Sequence, residues 1–139
     1  MQPALPNGYH FVYGTDISPD DVMALRQSVG WDGLDQESWD KCIRSSIAVV
    51  GIQDASGPLV GVSFIAGNTR HAVLCDMVVA PDHQKRGLGT ALLYERVRLS
   101  DELGILYLYT DLAQTNNIRA EYLSLGFNGT GGGLFRVLA

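Results

Sequence analysis

In residues 78–93 a strand end, a turn and a helix start follow one another: Val78-Val79-Ala80-Pro81-Asp82-His83-Gln84-Lys85-Arg86-Gly87-Leu88-Gly89-Thr90-Ala91-Leu92-Leu93. β-branched residues run into a proline, which stops a strand because it has no N–H for the ladder. A polar loop with two glycines comes next, and then a run of helix formers. Gly87 and Gly89 let the backbone turn sharply and leave its N–H groups uncovered by side chains. Those groups lie where a helix begins, so they point outward and carry the positive end of the helix dipole. Such a helix start is a seat for a phosphate.

Two nucleotide-binding patterns are excluded at once. No Gly-x-x-x-x-Gly-Lys-Ser/Thr string occurs, and the dinucleotide pattern Gly-x-Gly-x-x-Gly lacks its third glycine, since Leu92 stands there. What fits is Gln/Arg-x-x-Gly-x-Gly/Ala, matched by Gln84, Gly87 and Gly89 and preceded by Val79 and Pro81 as Val-x-Pro. This combination resembles the acetyl-CoA-binding motif of the GNAT-type N-acetyltransferase superfamily. A second string, from Asn116 to Phe127, is similar to the superfamily's C-terminal helix with its Tyr-x-x-x-Gly-Phe ending, matched by Tyr122, Gly126 and Phe127.

The rest of the chain reads as follows. Tyr9 to Tyr13 alternates as a first strand. Ser18-Pro19-Asp20-Asp21 starts a helix with a capping serine, proline at its first position and acids in the first turn. Val22, Leu25 and Val29 share its buried face, and Gly30 ends it. A second short helix begins near Asp35, with Trp39, Cys42 and Ile43 on its buried side. Strands follow over Ile47 to Ile52, Leu59 to Ala66 and Ala72 to Val79, joined by turns too short for a parallel crossover, so they form an antiparallel meander. Thr90 to Leu103 is a helix whose face carries Leu88, Leu92, Leu99 and Leu103. Ile105 to Asp111 is a strand parallel to the one before the helix. A last helix, capped by Asn116 or Asn117, runs to Leu125, and Phe127, a Gly129 to Gly133 turn and Leu134 to Leu138 form a C-terminal hairpin. The order gives an α+β domain over residues 1–139: a mixed, mostly antiparallel six- to seven-stranded sheet flanked by helices, with one parallel pair. The GNAT (acyl-CoA N-acyltransferase) fold has this element order, and the resemblance implies that the parallel pair is splayed.

Functional roles come from the resemblance, and several have quieter alternatives. The resemblance implies that the backbone of Met77, Val78 and Val79 contacts the pantetheine arm of acetyl-CoA and polarises the acetyl carbonyl. Gln84, Lys85, Arg86, Gly87, Leu88, Gly89 and Thr90 would hold the phosphates, and Asn117 the pantetheine. The family's usual asparagine position, seven residues before the tyrosine, is Thr115 here. Tyr122 would assist departure of the thiolate. Otherwise Tyr122 is a half-buried aromatic, Asn116 and Asn117 are caps, and Lys85 and Arg86 are a solvated loop face. An amine with the lysine reference pKa lies about 3.4 units above pH 7, so freeing its lone pair costs about 4.6 kcal/mol. Asp76, a carboxylate in an apolar strand, is the candidate base. Alternation with Leu74 and Val78 would turn it toward the core, where a structural hydrogen-bonding role competes, and a water relay is the third option. The resemblance implies that the loop holding Trp31 and Asp32 borders the acceptor site, although Trp31 reads first as a core anchor.

Composition bounds the function. The chain of 139 residues has 46% hydrophobic and 18% charged residues and a net charge of −5. That excludes a disordered chain and speaks against a non-specific nucleic-acid binder. No apolar run reaches a membrane span and no signal-peptide pattern opens the sequence, so the expected compartment is the cytoplasm. Cys42 and Cys75 read as isolated buried thiols, and the three histidines show no metal-ligand spacing. The reading is therefore an acetyl-CoA-dependent N-acetyltransferase acting on a small-molecule or protein amine. The alternative is a non-catalytic acyl-CoA-binding or regulatory domain. An edge strand and a short hairpin leave room for a homodimer, which only the resemblance supports.

Overall fold

Side-chain turns hold the first strands in register. Asp54 Oδ1 accepts the Ser56 N–H at 2.9 Å and its hydroxyl at 2.6 Å, and Asn68 Oδ1 accepts the Arg70 and His71 N–H groups, each at 2.9 Å. Both are local mimics of a backbone turn. In the computed structural model, which describes residues 4–31, 33–111, 119–129 and 133–138, these turns join three of six strands. The strands are β1 (Tyr9–Tyr13), β2 (Ala48–Asp54), β3 (Leu59–Gly67), β4 (His71–Val79), β5 (Tyr107–Asp111) and β6 (Gly133–Val137). They form one sheet in chain order, antiparallel throughout except for β4 and β5. No helix of the described residues is long and apolar enough to cross a membrane.

Helices cover both faces. Helix α1 (Pro19–Ser28) is capped by Ser18, whose Oγ accepts the Asp21 N–H at 3.1 Å. Helix α2 (Gln36–Ser45) is capped by Asp35 through the Ser38 N–H at 2.8 Å. Together they bury Val22, Leu25, Trp39 and Ile43 against Val49, Leu59, Val62, Phe64 and Val78. The opposite face takes α3 (Leu88–Leu103) and α4 (Arg119–Ser124). There Leu88 and Leu92 meet Val50, Ile52 and Val60, while Leu93, Val97 and Tyr122 meet Ile65, Ala72, Leu74 and Leu108.

Element bounds differ from the sequence reading by one or two residues, as fraying ends do; Ile105 is buried just ahead of β5 and donates to Ser100 O at 3.0 Å. Two differences go further. Leu103 is exposed, because the buried face of α3 runs instead through Glu95, Arg96 and Ser100. Among the described residues the C-terminal hairpin is one pair, Asn128 with Phe135, while β6 pairs along its length with β5. The caps expected at Asn116 and Asn117 lie outside the described residues.

Glu95 ties α3 to the sheet edge. Its carboxylate, almost wholly buried, accepts the Tyr13 hydroxyl and two Arg98 N–H groups at 2.6 and 3.2 Å. The Tyr13 ring is partly exposed, yet burial of its hydroxyl, with the Glu95 charge beside it, pushes its pKa up to about 12. The folded chain thus holds this proton more tightly than the unfolded chain, whose tyrosines titrate near 10. The contribution to stability is complete below pH 10 and is lost as pH rises through 12. Urea unfolding of native protein and Tyr13→Phe at pH 9 to 12 should therefore converge, the native protein losing its advantage across that window. A gap that stays constant to pH 12 would contradict the assignment.

Candidate active site

The site begins with one extra residue in β4. Val62 pairs with Val78 and Phe64 with Cys75, so Ser63 alone faces both Asp76 and Met77. This is a β-bulge. Asp76 sits in it at φ 54°, a left-handed conformation that aspartate tolerates better than most residues. The bulge reverses the alternation. Ala72 and Leu74 face α3 and α4 before it, Met77 and Val79 face α3 after it, and Val78 joins the α1/α2 side. Simple alternation of Asp76 with Leu74 and Val78 toward the core is thereby overturned: Asp76 is exposed.

The parallel ladder stops at the same place. β4 pairs with β5 from His71–Tyr107 to Leu74–Thr110 and no further. Among the described residues no strand takes the β5-facing edge of β4 from Asp76 to Val79. Among the described residues the buried hydroxyl of Thr110, at the last paired position, has no hydrogen-bond partner, nor has that of Tyr122, whose ring packs edge-on to Phe127 in the cluster containing Leu74. Ser63, inside the bulge, has a third such hydroxyl. Arg96, fully buried, braces the bulge from the α3 side, donating to Phe64 O at 3.4 Å and approaching Met77 Sδ at 3.6 Å.

From Val79 the chain turns through Pro81–His83 into α3. Lys85 at φ 64° and Gly87 at φ 82° are both left-handed, and Gly87 is the N-cap without any side-chain cap. The first intrahelical bond is Ala91 N–H to Gly87 O at 3.0 Å. The N–H groups of Leu88, Gly89 and Thr90 therefore have no partner among the described residues. Nothing lies within 4 Å of a Cβ built on Gly87, and one on Gly89 would meet only the Met77 methyl at 3.6 Å. The result is a row of donors, free among the described residues, at the positive end of a helix of 16 residues.

A side-chain chain holds this loop. Gln84 Nε2 donates to Val79 O at 3.0 Å. Arg86 Nη1 donates to the Tyr9 hydroxyl at 2.9 Å, which shares a 2.7 Å hydrogen bond with His83 Nδ1. His83 Nε2 in turn lies 3.8 Å from Asp54 Oδ2. Ser56, and less strongly His83, hold the Asp54 carboxyl below the usual carboxylate range.

On the other face of the bulge, Arg26 reaches to 3.7 Å from Asp76. Its guanidinium lies 4.7 Å from the Trp39 ring and 5.1 Å from that of Trp31. Trp39 is the core anchor here; Trp31, expected in that role, is 42% exposed because it follows the α1 terminus and stacks on Arg26 from outside. Beside this pair Cys42 is half-buried, and burial, with the Asp76 charge as a lesser cause, pushes its thiol up, against a smaller opposing effect of Ser46.

The expected residues thus divide. Asp76, Met77, Val78 and Val79 line the opened edge, and Gln84 to Thr90 form the donor row and its support. Lys85 is exposed, Arg86 is engaged by Tyr9, and Leu88 contributes backbone alone because its side chain is buried. Tyr122 is buried in the cluster that contains Leu74 and Leu108. Asn117 and Asp32 lie outside the described residues. Sequence reasoning missed Tyr9, Arg26 and Arg96; an arginine four residues after Leu92 on an apolar stripe was the available signal for the last.

Residues 26–127 match the Acetyltransferase (GNAT) family. No curated protein matches the chain in sequence. Among solved structures, the ribosomal-protein-S18-alanine N-acetyltransferase of Escherichia coli superposes with TM-score 0.73 at 18% identity, over 94% of this chain and 92% of that one. A GNAT family acetyltransferase of Streptococcus pneumoniae gives 0.69 at 22%, over 88% and 94%. The N-acetylglutamate synthase of Neisseria gonorrhoeae, in complex with coenzyme A and L-arginine, gives 0.73 at 17%, over 96% of this chain and 34% of that one.

The tether makes a direct expectation. Tyr9→Phe removes the acceptor of Arg86 and the partner of His83, so amide exchange at residues 83–87 should accelerate about 5-fold, the equivalent of about 1 kcal/mol for a hydrogen bond. Exchange within α3 beyond Leu92 should not change. Equal loop exchange in both proteins would show that the chain of bonds does not hold the loop.

Proposed function

The chain belongs to the GNAT acetyltransferase family, and from that premise we propose that it transfers an acetyl group from acetyl-CoA to a primary amine by direct attack, both substrates bound together. Family membership makes it an N-acetyltransferase using an acyl-CoA. Under this reading residues 1–139 work as one N-acetyltransferase domain in the cytoplasm, with a small-molecule or protein amine as acceptor.

One observation carries the reading: the donor row at the start of α3 and the β4 edge from Asp76 to Val79, both unpaired among the described residues, belong to one continuous stretch of chain. These groups fit acetyl-CoA. The N–H groups of Gly87 to Thr90 would hold the pyrophosphate, with Lys85 in reach of phosphate, and the backbone of Met77, Val78 and Val79 would take the pantetheine arm; Asn117 is the further contact proposed from the resemblance. When bound, acetyl-CoA supplies a thioester whose carbonyl carbon takes the amine's lone pair as the C–S bond breaks, sulfur keeping the bonding electrons and the amine losing one proton. Asp76 stands at the mouth of the bulge as acceptor for that proton. Tyr122 would donate a hydrogen bond where charge gathers on sulfur. Cys42 speaks against an acyl-enzyme, since a thiol raised by burial keeps its proton at neutral pH and is a poor nucleophile.

Tyr122→Phe separates ring from hydroxyl. A buried hydroxyl without a partner is a cost to the ligand-free fold, so the variant should be as stable as the native protein or more so, by about 1 kcal/mol. Turnover should nevertheless fall by roughly 10²–10⁴, the range for one positioned acid, with the acetyl-CoA KM little changed. Turnover close to native, with chemistry rate-limiting, would return Tyr122 to packing alone. Acetyl-CoA binding without release of CoA to any amine would favour the binding-module alternative.

A further inference from the structure

Arg26 is the most unusual polar group outside the loop. Its side chain is only 16% exposed, yet among the described residues it makes no hydrogen bond, and Nη1 is buried without a partner. Asp76 Oδ1, at 3.7 Å, is an ion-pair neighbour beyond hydrogen-bond reach. Two indole rings, of Trp39 and Trp31, lie 4.7 and 5.1 Å from the guanidinium. A fork of donors fixed by aromatic stacking and left without acceptors is built for a planar, bidentate anion.

The cleft that Arg26 lines says what kind. Met23, Trp31, Leu34 and Trp39 give it apolar walls, and its volume is about 170 Å³. That is below the roughly 300–1,000 Å³ of pockets for drug-sized ligands, so it takes one small group. A phosphate there would meet the carboxylate of Asp76, and Asp35 also lines the cleft. A zwitterion meets opposite charges in the right order: its carboxylate on Arg26 and its amine toward Asp76, beside the opened edge of β4. We infer that Arg26 is a specificity-determining residue that receives the acceptor's carboxylate, and that the acceptor is an α-amino acid with a small apolar side chain. This rests on the acetyl transfer proposed above.

The chain's two tryptophans, Trp31 and Trp39, both flank Arg26, so intrinsic fluorescence reports on this cleft without any turnover. L-alanine, L-valine, L-leucine and L-methionine are titrated, each beside its own amide, with acetyl-CoA present; acetylation kinetics follow on the same pairs. At least one amino acid should bind and react, its amide being weaker by about 10–100-fold, the range for hydrogen bonds to a charged group. Arg26→Gln, with its fold checked by circular dichroism, should erase that difference through KM rather than kcat, and Arg26→Lys should restore part of it. Amides equal to their acids in the native protein, or no fluorescence response to any of the four, would overturn the inference whatever the variants do. So would an unchanged preference in Arg26→Gln. CoA release with other amines in those cases leaves acetyl transfer standing; none with any amine sinks both.

Discussion

A β-strand has two hydrogen-bonding edges, and among the described residues β4 pairs on both only as far as Leu74. There Asp76 adds one residue on β4 opposite Ser63, and the strand cannot afterwards stay flat against both neighbours. Pairing with β3 resumes beyond the bulge, while among the described residues pairing with β5 goes no further than Leu74 with Thr110. Everything at the site depends on that choice. It frees a stretch of backbone from Asp76 to Val79, reverses which side chains face α3, and leaves Asp76 pointing out toward Arg26. The same strand then delivers the chain into the glycine loop, so that exposed strand edge and exposed helix N-terminus become parts of one surface.

The two halves of that surface are held differently. The strand edge is braced from below by packing, with Arg96 and Met77 beneath the bulge. The loop, by contrast, carries left-handed residues at Lys85 and Gly87 and is tied by polar side chains to β1, the far edge of the sheet. Left-handed backbone at a non-glycine residue is a local cost that the surroundings must enforce. Tyr9, His83 and Arg86 supply the enforcement. The acceptor side has its own support, since α1 and α2 lay Arg26 and both tryptophans against the outer face of the bulge.

Local chemistry made much of this legible. Ser18 and Asp35 announced two helix starts and Asp54 and Asn68 two turns, because each acts through bonds to its near neighbours in the chain; α3 begins at Leu88, two residues before the start read at Thr90. The parallel pair followed from a helix between two strands. What could not be read was set by distant contacts. Nothing near Asp76 in the sequence marks a bulge, so alternation placed it wrongly. Trp31 and Trp39 look equivalent as letters, and only the docking of α1 on α2 decides which is core. Burial of Glu95 and Arg96 depends on Tyr13 and Phe64, dozens of residues away. The roles of Tyr122 and of the pantetheine contacts came from the resemblance alone.

The central claim is that the opened edge of β4 and the donor row of α3 bind one ligand together. Amide hydrogen exchange with and without acetyl-CoA tests it most directly. Protection should appear at Met77 to Val79 and at Gly87 to Thr90 in the same titration, with one affinity, while β1 and β2 stay unchanged. Protection of the loop without the strand edge, of neither, or with two different affinities would contradict it.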